Sequence, residues 1–408
     1  MNDEHLRALA EIICDYRKNE LDYPIGTFHI ECWLSQFEEG TQDIILAETL
    51  HILKKWYFGL NRFYEFFDEV LKYLEKKYSL KGADLVRNIV FVSLQRKGNS
   101  QKSMLQQLND MIVERHGFGI STSIDLKKMF YVYIDDGLYT GIHARSDLKE
   151  VIEQLPEGAS LDVFYLIGGE QGIDYSEQRL KNVAKERGID INIFRMEPLS
   201  NYKRATVLYH EGIEEESYSP IHTCLWPDGS VDSIPEIKEY IDSNIRQKNK
   251  CEKHLFRYGY WKDDCGVFSS VKNRGIVEKE FLKKGIEIAK RCHDNNGLYP
   301  LGFNSWPSLG FGSFCATFMN ISNTCPLVLW WGNNIKDGNV LDYWYPLLPR
   351  RINKNEETNI FEEPFDDYMP VHRVSEPYNT CPDCGRLFGI DEDGGNGFVP
   401  IARGNIKI

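Results

Sequence analysis

Residues 129–145 read MFYVYIDDGLYTGIHAR, an apolar run that ends in two adjacent carboxylates and is followed by a Thr-Gly turn. The apolar run predicts a buried strand, and the amphipathic residues that begin near Ala144 predict a helix. Backbone N–H groups at a glycine-containing turn and at a helix N-terminus converge on an anion, and Thr140 adds a hydroxyl donor. The stretch therefore predicts a strand, an anion-binding turn and a helix, in that order.

The alternation of apolar runs and amphipathic stretches continues on both sides of this motif. Strands are predicted over 89–94, 129–134, 161–167 and 189–194, and helices near 102–115, 144–154 and 176–186. Apolar strands that alternate with helices of about 10 to 15 residues indicate a parallel sheet covered on both faces. The predicted fold class is α/β, an open and mainly parallel sheet, and ligands are expected beyond the carboxyl ends of its strands.

The length of 408 residues exceeds the roughly 250 to 300 at which a single core usually stops growing, so more than one unit is expected. Helical spacing of apolar residues predicts a helical region over 1–84. The α/β domain is predicted over 85–350, with two further helices over 236–253 and 272–292. Residues 326–331 are predicted to form one more buried strand of the sheet. The polar, acidic residues 351–408 are predicted to form an extended tail.

The charge balance limits the classes of partner. The chain has 48 basic and 61 acidic residues and a net charge of −13, which disfavours general attraction to nucleic acid or to an anionic membrane. Basic residues over 246–257 and 272–291 nevertheless leave a nucleic-acid contact open as a weaker alternative. Apolar runs fall far short of the roughly 18 to 20 residues that span a bilayer, and the first residues do not resemble a signal peptide. A cytoplasmic location without membrane association is expected.

Asp135 and Asp136 are the first candidates for catalysis and binding. Their carboxylates suit vicinal ribose hydroxyls, or a hydrated Mg²⁺ that is itself bound to a diphosphate. His143 flanks the turn and is a candidate general base or phosphate donor. The alternative is that Asp-Asp-Gly is an ordinary exit from a strand into a turn.

This stretch resembles the phosphoribosyl-diphosphate binding motif of the phosphoribosyltransferases. The residues that fit the motif are Asp135, Asp136, Leu138, Thr140 and Gly141, and those that depart from it are Gly137, Tyr139 and His143. The resemblance implies that Asp135 and Asp136 bind the ribose hydroxyls. It implies that the turn binds the 5′-phosphate through Thr140, Gly141, Ile142, His143, Ala144 and Arg145.

Two further stretches make the resemblance more specific. The strand that ends near residue 94 is followed by the loop QRKGNS (95–100), where these enzymes keep a diphosphate loop, so Arg96, Lys97 and Gly98 are candidate diphosphate ligands. The stretches PSLGFGSF (307–314) and NTCPLVLWWG (323–332) resemble the divergent phosphoribosyltransferase-like proteins of bacterial conflict and anti-phage systems, including some retron operons. Asn323 is a further candidate ligand.

The resemblance implies an effector that uses Mg²⁺ with phosphoribosyl diphosphate or a nucleotide, and that transfers the phosphoribosyl group or cleaves at the glycosidic position. It also implies a protein partner, or further copies of the chain, in a defence complex. The departures from the motif leave a second hypothesis open, a catalytically inactive nucleotide-sensing or scaffolding subunit.

The cysteines suggest one metal hypothesis. Cys381 and Cys384 form a CxxC pair typical of half a zinc knuckle, and Cys251 with His254 has the same spacing. Together they would provide four ligands for a structural Zn²⁺, and His372 or Cys265 could substitute in the second pair. The alternative is ordinary reduced thiols.

Overall fold

The computed structural model describes residues 2–93, 100–201, 223–245, 255–257, 264–291, 298–304, 307–332 and 344–350, except positions 19 and 22. It also describes the backbone of four short strands, 206–210, 213–217, 378–380 and 387–389. Within these residues, no helix combines the length and the apolar character needed to cross a membrane.

The N-terminal region is helical, as predicted. Its elements are α1 (Asp3–Ile12), α2 (Thr27–Leu34), α3 (Gln42–Trp56), the short strand β1 (Tyr57–Phe58), α4 (Leu60–Tyr78) and α5 (Gly82–Asn88). The side chain of Asn2 caps α1 by accepting from the backbone N–H groups of Glu4 and His5. Helix α4 buries one face, as its apolar spacing requires, through Phe63, Phe66, Phe67, Val70 and Leu74.

A parallel sheet follows in the predicted order. Its elements are β2 (Ile89–Phe91), α6 (Ser100–His116), β3 (Phe130–Leu138), α7 (Ile142–Gln154), β4 (Ser160–Gly169), α8 (Glu170–Glu186) and β5 (Asp190–Leu199). In the described part of the chain the strands lie in the order β2-β3-β4-β5, and every neighbouring pair is parallel. The predicted α/β fold class is confirmed.

Side chains from β3 enter two different hydrophobic cores. Val132 and Ile134 belong to a core that also contains residues of α6 and the N-terminal helices. Tyr131 and Tyr133 belong to a core formed with residues of α7 and α8. Because successive side chains of a strand point to opposite faces, the sheet is covered on both faces, as the apolar strands predicted.

The remaining elements are shorter. They are β6 (Thr206–His210), β7 (Ile213–Ser217), α9 (Pro235–Asn244), α10 (Val271–Ala289), β8 (Leu298–Tyr299), β9 (Gly302–Phe303), β10 (Ala316–Thr317), α11 (Leu327–Trp330), β11 (Tyr378–Thr380) and β12 (Leu387–Gly389). Helices α9 and α10 correspond to the two helices predicted in this half of the chain. Apart from β11 and β12, which pair antiparallel, the predicted tail lies outside the described residues.

The strand predicted over 326–331 is wrong. Residues 327–330 form α11, one short buried helical turn, in which the Trp331 N–H donates to the Leu327 carbonyl at 2.8 Å. The Leu329 carbonyl accepts from Leu348 N–H, also at 2.8 Å. A short apolar run has the same composition in a buried helix and in a buried strand, so only the surrounding chain decides between them.

The N-terminal helices hold a downstream segment, residues 344–350, against the body of the protein. The carbonyl of Pro349 accepts from Tyr16 Oη at 3.0 Å and from Arg17 Nη1 at 2.8 Å. His29 Nε2 lies 2.7 Å from the Leu347 carbonyl. Strand β1 also pairs with β10 in parallel. The helical region therefore shares its core with the second half of the chain.

A buried carboxylate anchors α4 on the sheet. Asp162 of β4 is 0% exposed and accepts from Lys77 Nζ at 2.6 Å and from Tyr78 Oη at 2.7 Å. Both donors come from the last turn of α4. A buried charge is tolerated when it is paired and hydrogen-bonded, so this contact fixes the position of the helix.

Candidate functional site

The two adjacent acids lie near the carboxyl end of β3. Asp135 is 7% exposed, whereas Asp136 is half-buried. The Oδ1 atom of Asp135 accepts from Ser100 Oγ at 3.0 Å and from the Asp136 N–H at 2.9 Å. Ser100 is the first residue of α6. The start of α6 is therefore bonded directly to the acid pair.

The pKa of each acid of the pair is raised in the folded protein. Burial and the neighbouring charge of Asp136 raise the pKa of Asp135 well above its usual range. Burial also raises the pKa of Asp136, although hydrogen bonds from Asp135 and Ser100 and the positive charge of Arg350 oppose that rise. Burial therefore favours the protonated form at both acids, and the two carboxyl groups titrate as a coupled pair.

A buried hydroxyl lies on the Asp135 side of the strand. Tyr165 is 0% exposed, and among the described residues its Oη has no hydrogen-bond partner. Burial raises the pKa of Tyr165, and the charge of Asp135 adds to the rise, so the two groups are close. The Oη of the neighbouring Tyr133 lies 3.3 Å from Asp135 Oδ2. Because an unpaired buried donor is unfavourable, the Tyr165 hydroxyl is an energetic cost beside the acid pair.

Arg350 is a site residue that the sequence analysis missed. Its Nε donates to the Ile321 carbonyl at 3.3 Å, and its guanidinium lies 5.7 Å from the centre of the Trp330 ring. Its positive charge reaches Asp136, where it opposes the rise in pKa. The residue lies 214 positions after Asp136, at the end of the segment held by the N-terminal helices, so no local spacing marked it.

The turn after β3 requires glycine at position 141. The φ angle of Gly141 is +80°, and a Cβ there would lie 2.2 Å from Ser176 Oγ and 2.6 Å from the Gly172 carbonyl oxygen. Gly141 is the N-cap of α7 and has no side chain to cap the helix. The first-turn N–H groups of α7 therefore point out of the helix end, in the arrangement that binds an anion.

Gly137 and Tyr139, two departures from the motif, depend on each other sterically. A Cβ at Gly137 would lie 2.9 Å from the ring of Tyr139, so the glycine makes room for the tyrosine. That ring packs edge-on against Phe311 at 5.8 Å. Burial raises the pKa of Tyr139 well above its usual range, and Cys315 and Asp136 are among the groups that add to the rise. Tyr139 therefore links the turn after β3 to the segment 307–314, which contains Phe311.

The other predicted site residues have these places. Arg145 Nη1 donates to Tyr175 Oη of α8 at 3.1 Å. Asn323 is half-buried, and its carbonyl accepts from the Phe303 N–H at 2.8 Å. Thr140 and Ala144 are half-buried in the turn and in the first turn of α7. For Ile142 and His143 the structure describes the backbone only, at the start of α7. The candidates that lie outside the described residues are Arg96, Lys97, Gly98, Cys251, His254, Cys381 and Cys384.

The PRTase-CE family profile matches residues 30–350, most of the chain, from α2 to Arg350. The chain belongs to the PRTase-CE family. The match confirms the phosphoribosyltransferase-like resemblance drawn from residues 131–145. A search of curated proteins found no match.

Proposed function

We propose that this PRTase-CE protein binds a ribose 5-phosphate group, as phosphoribosyl diphosphate or as a nucleotide, and transfers the phosphoribosyl group or cleaves at its glycosidic position. The observation that carries the proposal is the convergence of an acid pair, a cation and two helix N-termini at one edge of the sheet. The positive charge of Arg350 opposes the rise in the pKa of Asp136, Ser100 at the start of α6 donates to Asp135, and Gly141 is the N-cap of α7.

Each part of this edge matches one part of such a ligand. The carboxyl groups of Asp135 and Asp136 accept hydrogen bonds from vicinal ribose hydroxyls. The turn at Thr140 and Gly141 holds the 5′-phosphate on the N–H groups of α7. Arg350 supplies positive charge for a diphosphate or for the developing charge of a leaving group. His143 is the proposed base that accepts a proton from the attacking group.

The proposal includes Mg²⁺ as a companion of the ligand. Among the described residues no three His, Cys, Asp or Glu side chains form a group that could hold a metal. Mg²⁺ usually binds one or two carboxylates together with substrate phosphates, and the acid pair fits that requirement. When bound, the ion would neutralise negative charge on the leaving diphosphate.

The proposed role in defence rests on residues 307–314 and 323–332, which resemble the phosphoribosyltransferase-like proteins of anti-phage systems. We propose an effector in anti-phage defence that works in the cytoplasm, with a protein partner or a second copy of the chain. The zinc site at Cys251, His254, Cys381 and Cys384 stays a prediction, and nucleic acid stays the weaker partner.

A second candidate function is a nucleotide-sensing or scaffolding subunit without catalysis. The observation that favours it is Tyr139, whose half-buried ring takes up space beside Gly137 where the motif has a small residue. A site narrowed in this way would bind a ribose phosphate without admitting an acceptor. Ligand binding without turnover distinguishes this candidate from the enzyme.

Calorimetric titration of phosphoribosyl diphosphate with Mg²⁺ tests the proposal. The wild type is compared with the Asp135→Asn/Asp136→Asn variant, and with Asp84→Asn/Asp110→Asn, which alters two exposed carboxylates of α5 and α6. We expect binding by the wild type and the control and its loss in the acid-pair variant. Diphosphate detected by mass spectrometry would make the protein an enzyme. Equal binding by all three proteins would place the ligand elsewhere and overturn the proposal.

Phage plating on cells that express the same three proteins tests the proposed defence role. We expect the wild type and the exposed-carboxylate control to protect and the acid-pair variant to fail. Protection by the acid-pair variant would separate any defence role from this site.

A further inference from the structure

Two arginines contact one tyrosine on the flank of the proposed phosphate turn. Arg145 of α7 donates from Nη1 to Tyr175 Oη at 3.1 Å, and its Cζ lies 5.4 Å from the centre of the ring. Arg179, one turn later on α8, stacks on the same ring with its Cζ 3.7 Å from the centre. We call these three residues the Arg145–Tyr175–Arg179 patch.

Neither guanidinium of the patch has an acidic partner among the residues that the structure describes. Other arginines in that part of the chain form ion pairs with acidic residues: Arg62 pairs with Glu197, and Arg257 pairs with Glu278. In a chain with a net charge of −13, acidic partners are plentiful. The patch therefore carries two uncompensated positive charges, held in place by cation–π contacts with Tyr175.

The patch adjoins the turn at residue 141. Ser176, the residue after Tyr175, donates from Oγ to the Gly141 carbonyl at 3.3 Å. The carbonyl oxygen of Gly172, one turn earlier on α8, lies against the same glycine. Arg145 itself belongs to the first turn of α7. A ligand that fills the turn therefore has these two cations beside its 5′ end.

We propose that the Arg145–Tyr175–Arg179 patch binds the second phosphate of a nucleoside 5′-diphosphate or 5′-triphosphate whose first phosphate occupies the turn. This inference rests on the proposed function and specifies its substrate class. Guanidinium groups match phosphate oxygens in a planar, two-pronged geometry. Two charges suit one additional phosphate, whereas a long polyanion would also meet the acidic surface of the chain.

Calorimetry with AMP, ADP, ATP and phosphoribosyl diphosphate tests this inference on the full-length protein. We expect the wild type to bind ADP and ATP about tenfold more tightly than AMP, because a charge-assisted hydrogen bond is added. Arg179→Ala should remove that preference and leave the affinity for AMP within about twofold. Lys185→Ala, which removes an exposed charge farther along α8, is the matched control and should change neither affinity.

The outcomes separate this inference from the proposed function. Equal affinity of the wild type for AMP and ADP, or an unchanged preference in Arg179→Ala, would overturn the patch and leave the proposed function standing. No binding of AMP or phosphoribosyl diphosphate would overturn the proposed function and the inference with it. If Arg179→Ala weakened the binding of a 5′-phosphorylated oligonucleotide and left the affinities for ADP and ATP unchanged, the patch would be a nucleic-acid contact. That result would refute the nucleotide assignment.

Discussion

The sharpest structural prediction concerns Gly141→Ala. The added methyl group would lie 2.2 Å from Ser176 Oγ and 2.6 Å from the Gly172 carbonyl oxygen, and the φ angle of +80° is strained for alanine. We expect the variant to fold with the turn displaced from α8. Because the N–H groups of α7 would move with the turn, the affinity for nucleotide should fall at least about tenfold.

The magnitude follows from two separate costs. A left-handed backbone conformation costs an L-residue roughly 1–2 kcal/mol. Overpacking a methyl group into a well-packed site costs roughly a further 1–3 kcal/mol. We therefore expect the free energy of unfolding to fall by about 3 kcal/mol. The steric cost is the larger part, since the Gly172 carbonyl belongs to the α8 backbone and cannot rotate away.

Gly117→Ala is the matched control. Gly117 has a similar φ angle of +75°, and a Cβ there would meet nothing within 4 Å. It should therefore cost about 1 kcal/mol, the backbone strain alone, and leave nucleotide affinity unchanged. Urea denaturation followed by tryptophan fluorescence measures stability, and calorimetry measures affinity. If the two variants lose equal stability and Gly141→Ala binds normally, the tight contact between the turn and α8 does not exist.

Three further predictions concern charges. Because the pKa of Asp135 is raised in the folded protein, the contribution of this group to the stability of the ligand-free protein should be fully present below pH about 4 and fall as pH rises through the folded-state pKa. Asp135→Asn should flatten that fall in urea denaturation between pH 5 and 8, and an unchanged slope would contradict the assignment. Arg350→Gln removes the cation whose charge opposes the rise in the pKa of Asp136, and it should weaken binding of phosphoribosyl diphosphate about tenfold by calorimetry, with unchanged affinity refuting its role. Asp162→Ala removes the buried carboxylate to which Lys77 and Tyr78 of α4 donate, and it should cost about 3 kcal/mol in urea denaturation. The side chain of Asp190 is 66% exposed, and Asp190→Ala should cost far less, so equal losses would show that the buried contact is not an anchor.

Local pattern alone determined the order of strands and helices from residue 89 to 199. Strand side chains alternate every second residue and helical ones every three to four, so each segment carries its own signal. The acid pair and the turn glycine were recognisable for the same reason, because strand, acids and turn are contiguous. The departures at Gly137 and Tyr139 were visible as well. The packing of Tyr139 against Gly137 was not visible in the sequence, because the direction of the Tyr139 side chain depends on the conformation of the turn.

Tertiary structure decided the rest of the site. The charge of Arg350 acts on Asp136, 214 residues earlier in the sequence, because tertiary contacts position the segment that ends at Arg350, among them those of Tyr16, Arg17 and His29. No periodicity encodes a contact of that length. The raised pKa of Asp135 depends first on burial, which only the folded chain provides, and then on the charge of the adjacent Asp136, which the sequence already shows. The strand predicted over 326–331 became a helix because packing and long-range hydrogen bonds, rather than composition, choose between two buried conformations of a short apolar run.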